Sequence, residues 1–140
     1  MQQPSKRLLP SAYDSTNIDI IDCTTSTPHA TTSNSHHVDL RSTNAVPSLE
    51  RTIRELIEAR RRKLGPNGGI TVLLDSVDEL AERGVHGVVR ILSGVLRSLG
   101  DGKNSALVYF SDRLFGADID AQILESFCYI MRLTPHHQQR

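Results

Sequence analysis

The sequence contains few cysteines and few aromatic residues. Its 140 residues include two cysteines, Cys23 and Cys128, no tryptophan, and an aromatic fraction of 4%. Two cysteines cannot form a disulfide framework, and both lie in apolar stretches, so we expect buried thiols in a reducing compartment. No apolar run approaches the roughly 18 residues of a membrane span, and the N-terminus lacks the pattern of a secretion signal. These absences predict a soluble protein of the cytoplasm or nucleus.

The sequence also lacks an excess of charge of either sign. Sixteen basic residues balance sixteen acidic ones. This balance argues against a protein that holds nucleic acid by bulk charge, although it leaves a local basic patch open. The length allows one domain.

The polar residues are concentrated in the first third of the chain. Residues 1–16 are predicted to be disordered, residues 24–46 to be loop, and residues 136–140 to be a polar tail. Between the first two, residues 18–23 form an island with β-branched side chains that predicts a short strand ending in a carboxylate. The folded domain is therefore expected to span residues 17–135.

From residue 47 onward, helix and strand patterns alternate. Ser48 is the predicted N-cap of an amphipathic helix that ends at Gly65. Nearly continuous apolar runs predict strands at 70–76, 105–110 and 127–133, buried on both faces as in a parallel sheet covered by helices. Between the strands lie a strongly amphipathic helix at 85–99 and a short helix near residue 120. The predicted helix at 85–99 buries a stripe of seven side chains: Val85, Val88, Val89, Leu92, Val95, Leu96 and Leu99. The pattern predicts an α/β fold with three layers and a mostly parallel sheet.

In such a sheet, ligands bind at the carboxyl ends of the strands. Three places qualify: Asp75-Ser76, Ser111-Asp112 and Asp22-Cys23. Asp75 follows an apolar strand, as does the Walker B carboxylate that holds magnesium in P-loop nucleotidases, but an Asp at a strand end is also a common cap for the following turn. The phosphate-binding loop G-x-x-x-x-G-K-S/T is lacking, so the sequence predicts no cofactor, and Asp75 and Ser76 are interpreted as a degenerate Walker B-like position.

Other catalytic and metal-binding patterns are also lacking. The pairs His36-His37 and His136-His137 are adjacent in polar segments, and adjacent side chains seldom converge on one metal ion. His86 is interpreted as polar surface. Cys128 lacks a neighbouring base and is interpreted as a core residue rather than a nucleophile. We therefore expect neither a catalytic site nor a metal site.

Four consecutive cations, Arg60, Arg61, Arg62 and Lys63, end the first long helix. They are candidate contacts for nucleic acid phosphates. A helix C-terminus also favours solvated cations through its dipole, so a purely structural role remains open.

The order of these elements resembles the RecA-like accessory subunits of Elongator, in particular the Elongator complex protein 5 family. In that family a strand ending in Asp-Ser-Leu precedes a leucine-rich helix, and here Asp75-Ser76-Val77 occupies that place. Residues 110–114 fall where the next loop begins, and residues 123–127 resemble the helix before a later strand. The resemblance extends over residues 17–135, but the family's first strand and helix have no counterpart, so the domain is expected to be partial.

The resemblance implies a non-catalytic subunit that assembles with related RecA-like subunits. Such a ring binds tRNA and supports the modification of wobble uridines. Two alternatives stay open. One is a truncated or split ATPase of the RecA or KaiC type with Asp75 as its Walker B carboxylate, and the other is a receiver-like regulatory domain using Asp22 and Asp75.

Overall fold

The computed structural model describes residues 17–23, 35–100, 102–111 and 113–133. The predicted disordered segment 1–16 and the predicted tail 136–140 lie outside these residues. The described residues form a mixed α/β structure with two pairs of parallel strands, which confirms the predicted fold class at this level.

The first pair joins β1 (Ile20–Asp22) to β2 (Ser35–His37). Strand β1 confirms the strand predicted at 18–23. Strand β2 lies within the predicted loop 24–46, which is wrong for these residues. A Ser-His-His sequence has no apolar alternation, so its strand conformation depends on pairing with β1, and Val38 N–H extends this pairing by donating to Asp22 O at 3.0 Å.

Helix α1 (Ala45–Leu64) begins three residues before the predicted N-cap Ser48. Pro47 occupies its first turn, where a missing backbone N–H costs nothing because that donor has no partner within the helix. The helix ends as predicted at Gly65, whose φ of 72° is readily adopted by glycine. Its buried stripe consists of Ala45, Leu49, Ile53 and Ile57.

The second pair joins β3 (Thr71–Leu74) to β4 (Ser105–Val108) in parallel, with Leu73 opposite Leu107. A 3-10 helix (Val77–Arg83) and then α2 (Gly84–Leu99) connect the two strands. The predicted strand, helix and strand are confirmed. Asn104 ties the crossover together, because its amide accepts from Ile70 N–H at 2.9 Å and donates to Leu99 O at 2.7 Å.

The core lies between α1, α2 and one face of the strands. Helix α2 buries most of the predicted stripe, but Val89 is 41% exposed while Ile91, absent from the predicted stripe, is 1% exposed. The stripe is displaced because α2 packs against both α1 and the strands. The buried hydrophobic residues are Val38, Leu40, Ala45, Leu49, Ile53, Ile57, Val77, Leu80, Val88, Ile91, Leu92, Val95, Leu99 and Ile123.

The strands are not buried on both faces as predicted. Val72 and Leu74 pack on the helical core, whereas Leu73 and Leu107 point away from it and are 63% and 64% exposed. Both long helices cover the same face, and no described element covers the other. The three-layer part of the prediction is therefore not seen in the described residues.

The short helix α3 (Ala117–Leu124) confirms the helix predicted near residue 120. The strand predicted at 127–133 is wrong, because this segment pairs with no described strand and Tyr129, Met131 and Leu133 are exposed. Cys128 is exposed rather than buried for the same reason. An apolar segment becomes a strand only where a neighbouring edge accepts its backbone hydrogen bonds, and no described strand lies beside this one.

Candidate functional site

The carboxyl end of β3 carries the predicted Asp75-Ser76 position. Asp75 is exposed, and the peptide bond to Ser76 is cis. Ser76 is the N-cap of the 3-10 helix, with its Oγ accepting from Asp78 N–H at 3.4 Å. The capping role therefore belongs to Ser76, and it leaves the Asp75 carboxylate facing solvent.

Asp78 connects this strand end to the next one. Its Oδ1 accepts from Ser111 N–H at 3.2 Å, and its Oδ2 accepts from Ser111 Oγ–H. Backbone bonds reinforce the connection, since Tyr109 N–H donates to Leu74 O at 2.9 Å and Val77 N–H donates to Tyr109 O at 3.2 Å. Ser111, predicted as part of a ligand site, is thus engaged in a structural contact. Its predicted neighbour Asp112 lies outside the described residues.

Sequence reasoning missed Asp78. The signal was present, because an acidic residue in the first turn of a helix is favoured by the helix dipole, and Asp78 follows the Ser76 N-cap by two positions. Its partner Ser111 is 33 positions away and was not identifiable from spacing.

The third predicted place, Asp22-Cys23, lies across a groove from Asp75. We call this cavity of about 920 Å³ the interstrand groove. It is lined by residues 17–23, which include β1, by residues 69–76, which include β3, and by the apolar face of α1. The structure thus brings Asp22, Cys23, Asp75 and Ser76 to one groove and leaves Ser111 out of it. Burial, with the negative charges of Asp22 and Glu79, raises the pKa of Cys23 to about 11.

The four cations at the end of α1 do not act as one cluster. Arg60 is only 16% exposed and forms an ion pair with Asp19, with Nε 2.6 Å from Oδ2. Arg61 donates to the last carbonyls of α2, Ser98 O at 2.7 Å and Leu99 O at 3.0 Å. Arg62 and Lys63 are exposed. The spacing could not reveal this division, because both structural partners lie far away in the sequence.

The histidines are distributed over separate places. His36 and His37 lie in β2, His86 is exposed on α2, and the pair at 136–137 lies outside the described residues. Within residues 17–23, 35–100, 102–111 and 113–133, no group of three or more His, Cys, Asp or Glu side chains is arranged to hold a metal ion.

In the same residues, no helix has the length and apolar character needed to cross a membrane.

The uncovered face of the β3–β4 pair is an apolar surface that sequence reasoning missed. Leu73 and Leu107 are adjacent across the two strands, and Tyr109 beyond them is 52% exposed. Its residue types are those of a buried strand, so nothing in the sequence distinguishes this face from the covered one.

Comparisons with protein-family models, with curated proteins and with solved structures found no match to this chain.

Proposed function

We propose that the chain is a non-catalytic assembly subunit that binds related RecA-like subunits of the Elongator type. In this proposal the chain is a partial RecA-like domain of the cytoplasm and nucleus, and the assembled ring binds tRNA and supports wobble-uridine modification. The observation that carries the proposal is the uncovered apolar face of β3 and β4.

That face suits a protein partner. Leu73 and Leu107 are opposite each other in the register, so they form one continuous apolar surface with Tyr109 at its end. Burying apolar surface contributes about 25 cal/mol per Å². A second layer covers the equivalent face in a three-layer fold, and a partner subunit covers it in this proposal.

The tRNA contribution of this chain is assigned to Arg62 and Lys63. Both are exposed at the end of α1, whereas Arg60 and Arg61 are engaged in structural bonds. Each phosphate contact adds about one unit to the salt dependence of binding. A contribution from two cations is therefore expected to be small.

Co-expression with the two other RecA-like Elongator subunits tests the proposal. We expect the wild-type chain to co-purify with them in a complex of fixed stoichiometry by native mass spectrometry. Leu107→Lys should abolish co-purification, because it places a charge in the proposed contact. Val89→Lys is the matched control, since Val89 is also a partly exposed aliphatic residue but lies on α2.

The proposal would be contradicted if the wild-type chain purified alone, without the two other subunits. Unchanged co-purification of Leu107→Lys would show that the β3–β4 face is not the contact, and equal loss with Val89→Lys would contradict a contact confined to that face. Circular dichroism of both variants excludes unfolding as the cause.

A second candidate is the split or truncated ATPase. The observation that favours it is the exposed Asp75 carboxylate at the carboxyl end of β3, where a Walker B residue binds magnesium. A longer transcript that encodes G-x-x-x-x-G-K-S/T upstream of Asp75 would support it. In that longer protein, Asp75→Asn would abolish magnesium-dependent ATP hydrolysis, whereas the assembly proposal expects no hydrolysis to lose.

A further inference from the structure

The interstrand groove lies between two strand edges. Every residue from 69 to 75 lines it, whichever face of β3 its side chain occupies, while no residue of β4 does. It therefore runs along the edge of β3 opposite β4. Residues 17–23 line the other wall, to which β2 contributes only Ser35, so the groove also follows the edge of β1 opposite β2.

The two walls run in the same direction. At the start of β1, Asp19 pairs with Arg60, which lies near the end of α1 where the chain turns toward β3. At the end of β1, Cys23 lines the same groove as Glu79, which lies in the 3-10 helix that follows β3. The groove therefore lies where an additional parallel strand could be inserted between β1 and β3.

The groove selects for apolar side chains and a cation. Its floor is the apolar face of α1, including Leu49, Ile53 and Ile57. Exposed carboxylates, Asp75 and Glu79, lie at the end where β3 finishes. An apolar strand with a basic residue near its carboxyl end matches this arrangement.

Residues 128–133 have these properties, whereas Phe127 packs against the core of its own chain. Tyr129 is 94% exposed and Met131 is 84% exposed, and the segment pairs with no described strand. Arg132 is its one charged residue, and no carboxylate side chain follows Glu125 in the sequence. Its six residues match the length of the wall at 71–76.

Within one copy, the segment after α3 starts on the side of α2 that is opposite α1, away from the groove. A Cβ added at Gly87 or Gly94 of α2 would lie 3.3 or 3.4 Å from Val46 or Glu50 of α1, so these positions face α1. Val89 and Leu96 instead line a cavity shared with Ile119 and Ile123 of α3. Positions two residues apart on a helix differ by about 200°, so α3 and α1 pack on opposite sides of α2.

We propose that the interstrand groove is a docking site for residues 128–133 of a second copy of this chain. The segment adds as a parallel strand between β1 and β3. Arg132 then lies beside Asp75 and Ile130 beside Leu73 on the uncovered face, while Tyr129 and Met131 point toward α1. Two copies exchange segments reciprocally, which gives a closed dimer. This inference is independent of the Elongator proposal because it concerns the chain alone.

Sedimentation equilibrium of the purified full chain tests the dimer. We expect a monomer–dimer equilibrium that Arg132→Glu weakens about tenfold, because it places two negative charges together. Asp75→Arg should weaken it similarly, and the double variant Arg132→Glu with Asp75→Arg should restore it by reversing the pair. Arg51→Glu, at an exposed position of α1 away from the groove, is the control.

Crosslinking tests the register. In a Cys23→Ser background, Thr71→Cys should be joined to Cys128 by a short bismaleimide, and mixing copies that carry two different tags should yield mixed dimers. A chain that stays monomeric at all concentrations would overturn the proposal, as would a crosslink confined to single chains. A dimer unaffected by both Arg132→Glu and Tyr129→Lys would also overturn it, because its interface would lie elsewhere.

Discussion

The two cysteines lie in contrasting environments. Cys23 is partly buried beside carboxylates that disfavour a thiolate, whereas Cys128 is exposed. Because the thiolate is the nucleophile, reactivity follows both the exposure and the pKa. The sequence placed both thiols in apolar stretches and therefore predicted the same environment for each.

We predict that iodoacetamide at pH 8 modifies Cys128 and leaves Cys23 largely unmodified in the folded chain. The pKa of Cys23 is raised from 9.0 to about 11, so its reaction rate should continue to rise until the pH passes 11. Mass spectrometry of tryptic peptides over a pH series measures both sites. In urea the two rates should converge, and equal rates in the folded chain would contradict the prediction.

At the carboxyl end of β3, residue types were predictable and residue partners were not. Asp75 and Ser76 were singled out correctly as the residues that follow β3, because an apolar run with a polar end is a local pattern. The bond from Asp78 to Ser111 and the pair of Arg60 with Asp19 depend on the packing of distant elements. A single sequence carries no record of such contacts.

Helix α2 illustrates how far periodicity determines an element. The repeat of apolar residues fixed its limits almost to the residue, since the predicted helix at 85–99 is observed as Gly84–Leu99. It did not fix which apolar positions are buried, because the apolar side chains span an arc of about 160° from Ile91 to Val89, and packing buries only part of that arc. Packing against α1 buried Ile91 and left Val89 at the margin.

We predict that Ile91→Val lowers the free energy of unfolding by about 0.5–1.5 kcal/mol, since it removes a methylene from a closely packed site. Val89→Ala should change it by less than about 0.5 kcal/mol, because Val89 is partly exposed. Urea denaturation of the two variants measures the difference. The reverse order would mean that the predicted stripe, rather than the observed one, is the buried face.

The segment at 127–133 shows the opposite case. Its composition is that of a strand, yet strand formation needs a neighbouring edge to complete the backbone hydrogen bonds. Composition reports the tendency of a segment but not whether an edge is available. For the same reason β2 was missed: its three polar residues gain strand structure only from β1.

On the scale of the whole molecule, the ion pair of Asp19 with Arg60 connects the chain around β1 to α1. Both side chains are largely buried, at 20% and 16% exposed. Breaking such a pair leaves one charge with incomplete solvation and no partner. The pair therefore contributes to the position of β1 beside the interstrand groove.

We predict that Arg60→Ala lowers the free energy of unfolding by about 1–3 kcal/mol. Arg62→Ala should have little effect, because Arg62 is exposed and has no structural bond among the described residues. Chemical denaturation followed by circular dichroism compares the two variants. Equal effects would show that the four cations contribute through the helix dipole alone.

The crossover from β3 through α2 to β4 is continuous in sequence. Thr71 and Ser105, which share a hydroxyl hydrogen bond, are 34 positions apart, and Asn104 closes the turn against both Ile70 and Leu99. The entropy lost on closing a loop grows slowly with its length, and short sequence separations favour fast folding. We therefore expect this unit to form early during folding. Strands β1 and β2 pair over only 15 positions and should also form early, whereas their docking on α1 through Asp19 and Arg60, 41 positions apart, should follow later. During synthesis, the N-terminal strand pair would then be formed but undocked until α1 has emerged.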